Sequence, residues 1–228
     1  MPSFASTDIL KSMKTKYVSL RKVAHNLGWK LKSLNTIGTA KKDRPWYVMI
    51  EGVDGVGKST FAEALREEIG EAGLQAKLVH EPFYPKALPE KPTAENYQLD
   101  RERYYASHQP DNKTWVVSDR SLFSTLAYNP WEVSDLMRMA AWLQNPAYFA
   151  SYNKALVLLS ANEETLQERL KTRQNEGIPL DALEIDRQYQ SKVAEKYLEM
   201  AYNQPLPLDA CYILTPSRLR RLKWLRRN

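Results

Sequence analysis

Residues Trp46-Tyr47-Val48-Met49-Ile50-Glu51-Gly52-Val53-Asp54-Gly55-Val56-Gly57-Lys58-Ser59-Thr60 decide the fold of this 228-residue chain. Positions 52–59 fit the phosphate-loop pattern G-x-x-x-x-G-K-[ST]. The apolar run Trp46 to Ile50 in front of it predicts a buried parallel strand. Behind it, Phe61, Ala62, Leu65 and Ile69 recur at helical spacing, so a helix begins near Lys58. Gly52, Gly55 and Gly57 allow backbone conformations and close approaches that a side chain would forbid. Successive N–H groups at a helix N-terminus then favour a phosphate. Lys58 is placed to reach the β- and γ-phosphates, and the Ser59 hydroxyl to complete a Mg²⁺ shell. The stretch Gly52, Val53, Asp54, Gly55, Val56, Gly57, Lys58, Ser59 and Thr60 is therefore the candidate nucleotide-binding element, with ATP and Mg²⁺ as its expected ligands.

The length suits one α/β domain with an appendage, and 43% apolar residues supply a core. No apolar run of the roughly 18 residues a membrane span requires is present. Met1 to Leu10 lacks a signal-peptide apolar core. The single cysteine, Cys211, can form no internal disulfide and lies in the apolar run 210–214. It reads as a buried thiol of a cytoplasmic chain. The net charge of +6 is unevenly placed. Residues 1–44 carry ten Lys/Arg against two acids, and 218–228 carry six against none, which leaves −8 for 45–217.

Residues 7–34 space Ile9, Leu10, Met13, Tyr17, Leu20, Ala24, Leu27, Leu31 and Leu34 by three and four, with lysines between them. This predicts a basic amphipathic helix, interruptible at Gly28. Three readings of it stand: an accessory helix packed on the domain or a second subunit, a nucleic-acid or anionic-surface contact, or a targeting presequence. Residues 35–45 read as a linker, so residues 1–44 form an extension and linker ahead of a domain over 45–216. From Pro45 onward strand and helix patterns alternate, predicting a parallel sheet covered on both faces. Its five strands are placed at 46–50, 75–80, 115–118, 155–159 and 210–214. Helices are expected near 58–69, 93–107, 121–128, 132–144 and 186–203, with another capped by Asn162. A charged segment at 169–187 has the character of a lid, and 217–228 of a basic terminal helix.

Ligands of open parallel sheets bind at the carboxyl ends of strands. Three polar clusters fall there: the phosphate loop, Glu81, and Asp119-Arg120. Asp119 is placed to help hold Mg²⁺, the other reading being an N-cap for the helix that follows. Arg120 presents a planar fork to phosphate oxygens. Arg169, Lys171 and Arg173 could close over a triphosphate and supply charge to the transferring group; cations simply favouring a helix C-terminus is the alternative.

These residues resemble the thymidylate kinase family of P-loop nucleotide kinases over 46–203, about two-thirds of the chain. Met49 to Thr60 is similar to that family's phosphate loop almost residue for residue. Ser118-Asp119-Arg120-Ser121, with Ser124-Thr125 and Ala127-Tyr128 beyond, resembles its D-R-Y and S-S/T-x-A-Y stretch. Tyr97-Gln98-Leu99-Asp100-Arg101 resembles its aromatic-x-x-x-Arg element, and Tyr197-Leu198-Glu199-Met200-Ala201 the Y-L-E-L-A that follows its lid. The resemblance implies that Tyr97 stacks on an acceptor base and Arg101 bonds its edge. It gives Ser124 and Thr125 contacts to a pyrimidine, Asp54 a sugar 3′-hydroxyl, Arg120 the acceptor phosphate, and Tyr128 a place in the acceptor wall. Arg169 and Arg173 become lid arginines, since no arginine stands within the loop at Gly55. A homodimer is also implied.

Two departures bear on the acceptor. His80-Glu81-Pro82 stands where the family has Arg-Glu-Pro, and Asp181 is followed by Ala182 and Leu183 where it has D-R-x-E. A monophosphate acceptor carries about two charges and calls for matching cations. A hydroxyl acceptor instead profits from a general base, which Glu81 could supply, since its Glu-Pro element resembles that of deoxynucleoside kinases. The expectation is ATP- and Mg²⁺-dependent phosphorylation of a pyrimidine deoxynucleotide, dTMP foremost. The alternatives are a hydroxyl acceptor, on a nucleoside or within DNA held by residues 1–44 and 218–227, and a non-catalytic nucleotide-binding module.

Overall fold

The computed structural model describes residues 19–34, 40–41, 43–108, 111, 113–130, 132–145, 147–180 and 182–216. Six strands form one sheet: β1 (Trp29–Leu34), β2 (Trp46–Glu51), β3 (Ala76–His80), β4 (Trp115–Asp119), β5 (Asn153–Leu159) and β6 (Ala210–Pro216), in the order β1-β6-β5-β2-β4-β3. Strands β2 to β6 are parallel, and β1 joins β6 antiparallel. The chain passes from β2 outward to β3 and β4, then crosses to β5 and β6 on the other side. The carboxyl end of β2 is thus a topological switch point, where open sheets receive ligands. Every residue of β2, β4 and β5 is buried, as expected of parallel strands covered on both faces.

The helices that matter to the site are α2 (Lys58–Glu71), α3 (Ala94–Ser107), α4 (Leu122–Tyr128), α6 (Glu163–Asn175) and α8 (Arg187–Asn203); α1 (Leu20–Asn26), α5 (Val133–Gln144) and the short α7 (Ala182–Ile185) complete the set. Helix α2 buries Phe61, Ala62, Leu65 and Ile69, the apolar stripe legible in the sequence. Asn162 caps α6 through Thr165 N at 3.0 Å, and Asp186 caps α8 through Tyr189 N at 2.9 Å. Ser121, not Asp119, caps α4. Asp119 is therefore left for other work.

The N-terminal region departs from expectation. The basic helix predicted over 7–34, interruptible at Gly28, is replaced, within the described residues, by α1 before that glycine and β1 after it, and the sheet has six strands where five were predicted. Gly28 takes φ 72°, a left-handed turn that stops α1. Beyond it Trp29-Lys30-Leu31-Lys32 alternates apolar and charged, a pattern that satisfies a period of two as readily as a helical one. Within the predicted linker, Asn153 holds the backbone of Lys41 and Arg44 at 2.8–3.1 Å. The predicted helix over 7–18 and the basic terminal helix 217–228 lie outside the described residues, as does Asp181.

Candidate active site

The phosphate loop leaves β2 and turns into α2 through Gly52, Gly55 and Gly57, at φ 144°, 75° and 97°. A Cβ on Gly52 would stand 2.5 Å from the Leu159 carbonyl oxygen, so the loop passes too close to β5 for any side chain. Lys58, at the start of α2, is buried and folds back on the loop, donating to the Gly52 and Val53 carbonyls at 3.0 Å each. Burial, with the Arg120 charge nearby, pushes its ammonium down to about 8. Ser59 donates to Asp119 Oδ2 at 2.6 Å, and His80 Nδ1 lies 3.2 Å from the same oxygen. Asp119 Oδ1 is buried with no partner among the described residues. A hydroxyl beside a carboxylate with one unused oxygen is the donor set Mg²⁺ takes when nucleotide phosphates and water complete its shell. The residues present fit that ion.

Beside the loop lies a cavity of about 420 Å³ whose lining includes Asp54, Glu81, Tyr97, Arg101, Arg120 and Thr125. At its base, buried Arg101 donates from Nε to Glu81 Oε2 at 2.7 Å and from Nη2 to Thr125 Oγ1 at 2.6 Å. Arg101 Nη1 and Glu81 Oε1 are both buried and unpartnered among the described residues. Burial outweighs the Arg101 charge and pushes the Glu81 carboxyl up to about 7. Across the cavity Arg120, with φ 69°, pairs with Asp54 Oδ1 and lies over the Tyr128 ring. Tyr128 donates its hydroxyl to Asp54 Oδ2 at 2.9 Å. Burial alone would raise the Asp54 carboxyl; Arg120 and Lys58 hold it below its ordinary range.

Tyr97 and Tyr128 line the cavity with Ser124 and Thr125. Their polar atoms are not equally available. The Ser124 hydroxyl, 2.9 Å from the Tyr197 hydroxyl, donates to Glu51 Oε2 at 2.7 Å, and Thr125 is engaged by Arg101. In the segment predicted as a lid, Arg169 donates to the Val56 carbonyl of the phosphate loop. Arg173 pairs with Glu184 at 2.6 Å and is absent from the cavity lining. Thr60 lies in the first turn of α2 beside Ser59 and is exposed.

Glu51 escaped the sequence reading. It is wholly buried and accepts from Ser121 Oγ at 2.6 Å, Ser124 N at 3.1 Å, Ser124 Oγ and the Tyr197 hydroxyl at 2.9 Å. One carboxylate thereby ties the loop's strand to α4 and α8. The signal was available: an acid closing an otherwise apolar buried strand demands partners. Arg187 was also passed over; it lines a smaller cavity with Asp54 and pairs with Glu163 at 3.6 Å.

No family model matches the chain. It is similar to a thymidylate kinase of Helicobacter acinonychis, 31% identical over 149 residues, 58% of this chain and 74% of that protein. The chain belongs to the thymidylate kinase family. A thymidylate kinase of Campylobacter curvus is 30% identical over 158 residues, 60% of this chain and 75% of that one. A probable thymidylate kinase of Metallosphaera sedula is 28% identical over 165 residues, 68% and 78%. The fold is shared with a polyphosphate kinase 2 from Arthrobacter aurescens TC1, at TM-score 0.53, 14% identity, 92% of this chain and 71% of that one. As a thymidylate kinase family member the protein is a phosphotransferase of the nucleotide-kinase kind. No helix among the described residues is long and apolar enough to cross a membrane.

Proposed function

We propose that this family member transfers the γ-phosphoryl group of ATP to the 5′-phosphate of dTMP, with Mg²⁺ held by Ser59 and Asp119. The observation that supports it is the cavity beside the phosphate loop, of a size ordinary for small-molecule sites and walled by Tyr97, Arg101, Arg120 and Tyr128. In this reading Arg101 Nη1 meets the base edge, Tyr97 stacks on the ring, and Arg120 turns its fork to the acceptor phosphate. Asp54, free of Arg120 once a phosphate competes for that cation, is then available to the sugar. Lys58 leaves the Gly52 and Val53 carbonyls for the donor phosphates, and Arg169 and Arg173 supply charge from the lid. Mg²⁺, when bound, neutralises the oxygens of the transferring group. Catalysis is positioning and charge neutralisation, with little covalent chemistry.

A second acceptor is favoured by one observation, the unpartnered Glu81 Oε1 in the same cavity. There Glu81 takes the proton of an attacking hydroxyl as general base, and Arg101 orients it. Labelled ATP offered with dTMP, thymidine, other deoxynucleoside monophosphates and oligonucleotides decides between them. Rapid transfer to dTMP alone removes the hydroxyl reading; transfer to thymidine and not dTMP removes the first. Lys58→Ala should abolish transfer while the circular dichroism stays native, and retained turnover would contradict the donor site. The homodimer is supported by the family and a polyanion contact of residues 1–44 and 218–227 by charge. Sedimentation of the full chain with and without an oligonucleotide checks both.

A further inference from the structure

The region 20–34 does more than lengthen the sheet. Because β1 runs antiparallel to β6, its first residue, Trp29, pairs with Pro216 at the carboxyl end of β6. That is the ligand edge of the sheet. There Trp29, buried, lies under the guanidinium of Arg169, 4.9 Å from ring centroid to Cζ. The same guanidinium donates to the Val56 carbonyl, and its Nη1 would stand 3.2 Å from a Cβ on Gly57. Burial lowers the Arg169 pKa and leaves the group charged, as an arginine is in proteins. Upstream, Lys22 of α1 pairs with Glu68 and Glu71 on α2, the helix that begins at Lys58. The segment therefore touches the phosphate-loop element twice, once through the helix and once through Arg169.

We infer that Trp29 is a positioning residue for donor binding: its ring face holds Arg169 over the phosphate loop, and β1 exists at this edge to deliver that ring. The inference rests on the reading that the loop takes a nucleoside triphosphate. An aromatic face fixes a guanidinium by attraction between cation and ring quadrupole, and more strongly when both are withdrawn from water. Arg169 lies on α6 and reaches the loop with a long side chain that would otherwise sample many rotamers. Held by Trp29, it gives up that freedom before nucleotide arrives, so less is lost on binding.

The test is calorimetric titration of the full chain with a non-hydrolysable ATP analogue and Mg²⁺, alongside steady-state kinetics. Trp29→Leu, which keeps an apolar side chain and removes the ring, should weaken analogue binding about three- to tenfold. Trp29→Phe should recover most of that loss, and KM for the acceptor should stay put. Arg169→Ala should weaken binding similarly, and Trp29→Leu added to it should cost little more. A folded Trp29→Leu protein with wild-type analogue affinity overturns the inference, as do losses that simply multiply in the double variant. Should Trp29→Leu fail to fold, 5,7-difluorotryptophan inserted at position 29 keeps the shape and weakens the ring face; unchanged affinity then overturns it. Analogue binding with no transfer to any acceptor would defeat the acceptor assignment and leave this inference standing. A wild-type chain that binds no analogue overturns it together with the donor site.

Discussion

The wall of the cavity beside the phosphate loop and the segment 169–187, proposed as a lid, both carry arginines, yet they hold them differently. In the wall, Arg101 is almost without solvent, at 2% exposure, and is bonded to Glu81 and Thr125 together. Arg120 is gripped by Asp54 and covered by Tyr128. In the segment proposed as a lid, among the described residues, Arg173 pairs with Glu184 and Arg187 with Glu163, the arginine side chains being 32% and 62% exposed and that of Glu184 11%. A buried pair is costly to break, because the abandoned partner stays out of water. An exposed pair is cheap, since water and salt replace it. The base of the cavity, where the Arg101 and Glu81 side chains are 2% and 5% exposed, is thus built to keep one arrangement. The proposed lid, like Arg120 with its 28% exposed side chain, is built to exchange partners when a nucleotide arrives.

The strongest way to break the contrast is Glu81→Ala. It strands the Arg101 charge in the cavity base and should cost about 3–5 kcal/mol, read from urea unfolding. A loss under 1 kcal/mol would mean that water already reaches Arg101. The pH dependence tests the same carboxyl. Its folded pKa of about 7 lies above the ordinary 4.5, so the native state keeps a proton that the unfolded chain has released. Stability should fall as pH rises between those values, most of it lost by pH 7. Glu81→Gln should flatten that part of the profile; an unchanged slope would assign it to other groups.

The same contrast explains what could be read in advance. The phosphate loop, its strand and its helix are contiguous, so glycine spacing, apolar run and helical stripe all speak of one place. Asp119 was legible because a strand end is itself a position in the fold. Strand β1 was not, because its six residues acquire a period only by pairing with β6, about 180 residues later. Alone they fit a basic helix equally well. In the site, identities were legible and partners were not. Ser124 was read as a base contact, but its hydroxyl is committed to Glu51 and Tyr197, each 73 residues away in sequence. Glu51 lies in the contiguous stretch that ends at the phosphate loop, yet its role was not legible there, since its partners come from α4 with its cap Ser121 and from α8.

On the lid side, Arg173→Ala should leave stability within about 1 kcal/mol of wild type and lower kcat about 100-fold, as loss of one charge-supplying donor does. Circular dichroism melts and single-turnover kinetics measure the two separately. A large loss of stability with normal turnover would make Arg173 a structural residue and erase the difference between the two regions.

The smallest effect sharpens the comparison most. A double-mutant cycle on Arg173 and Glu184 in nucleotide-free protein should give a coupling of at most about 1 kcal/mol. The same cycle on Arg101 and Glu81 should give several times that. Raising salt from 0.1 to 1 M shortens the screening length from about 10 to about 3 Å. It should therefore erase most of the lid coupling and little of the buried one. The lid pair would then serve as a holding contact, strong enough to store the arginine beside Glu184 and weak enough to surrender it to a triphosphate. A lid coupling above about 2 kcal/mol that ignores salt would instead fix Arg173 where it stands, and the charge for the transferring group would have to come from Arg169 or Arg187.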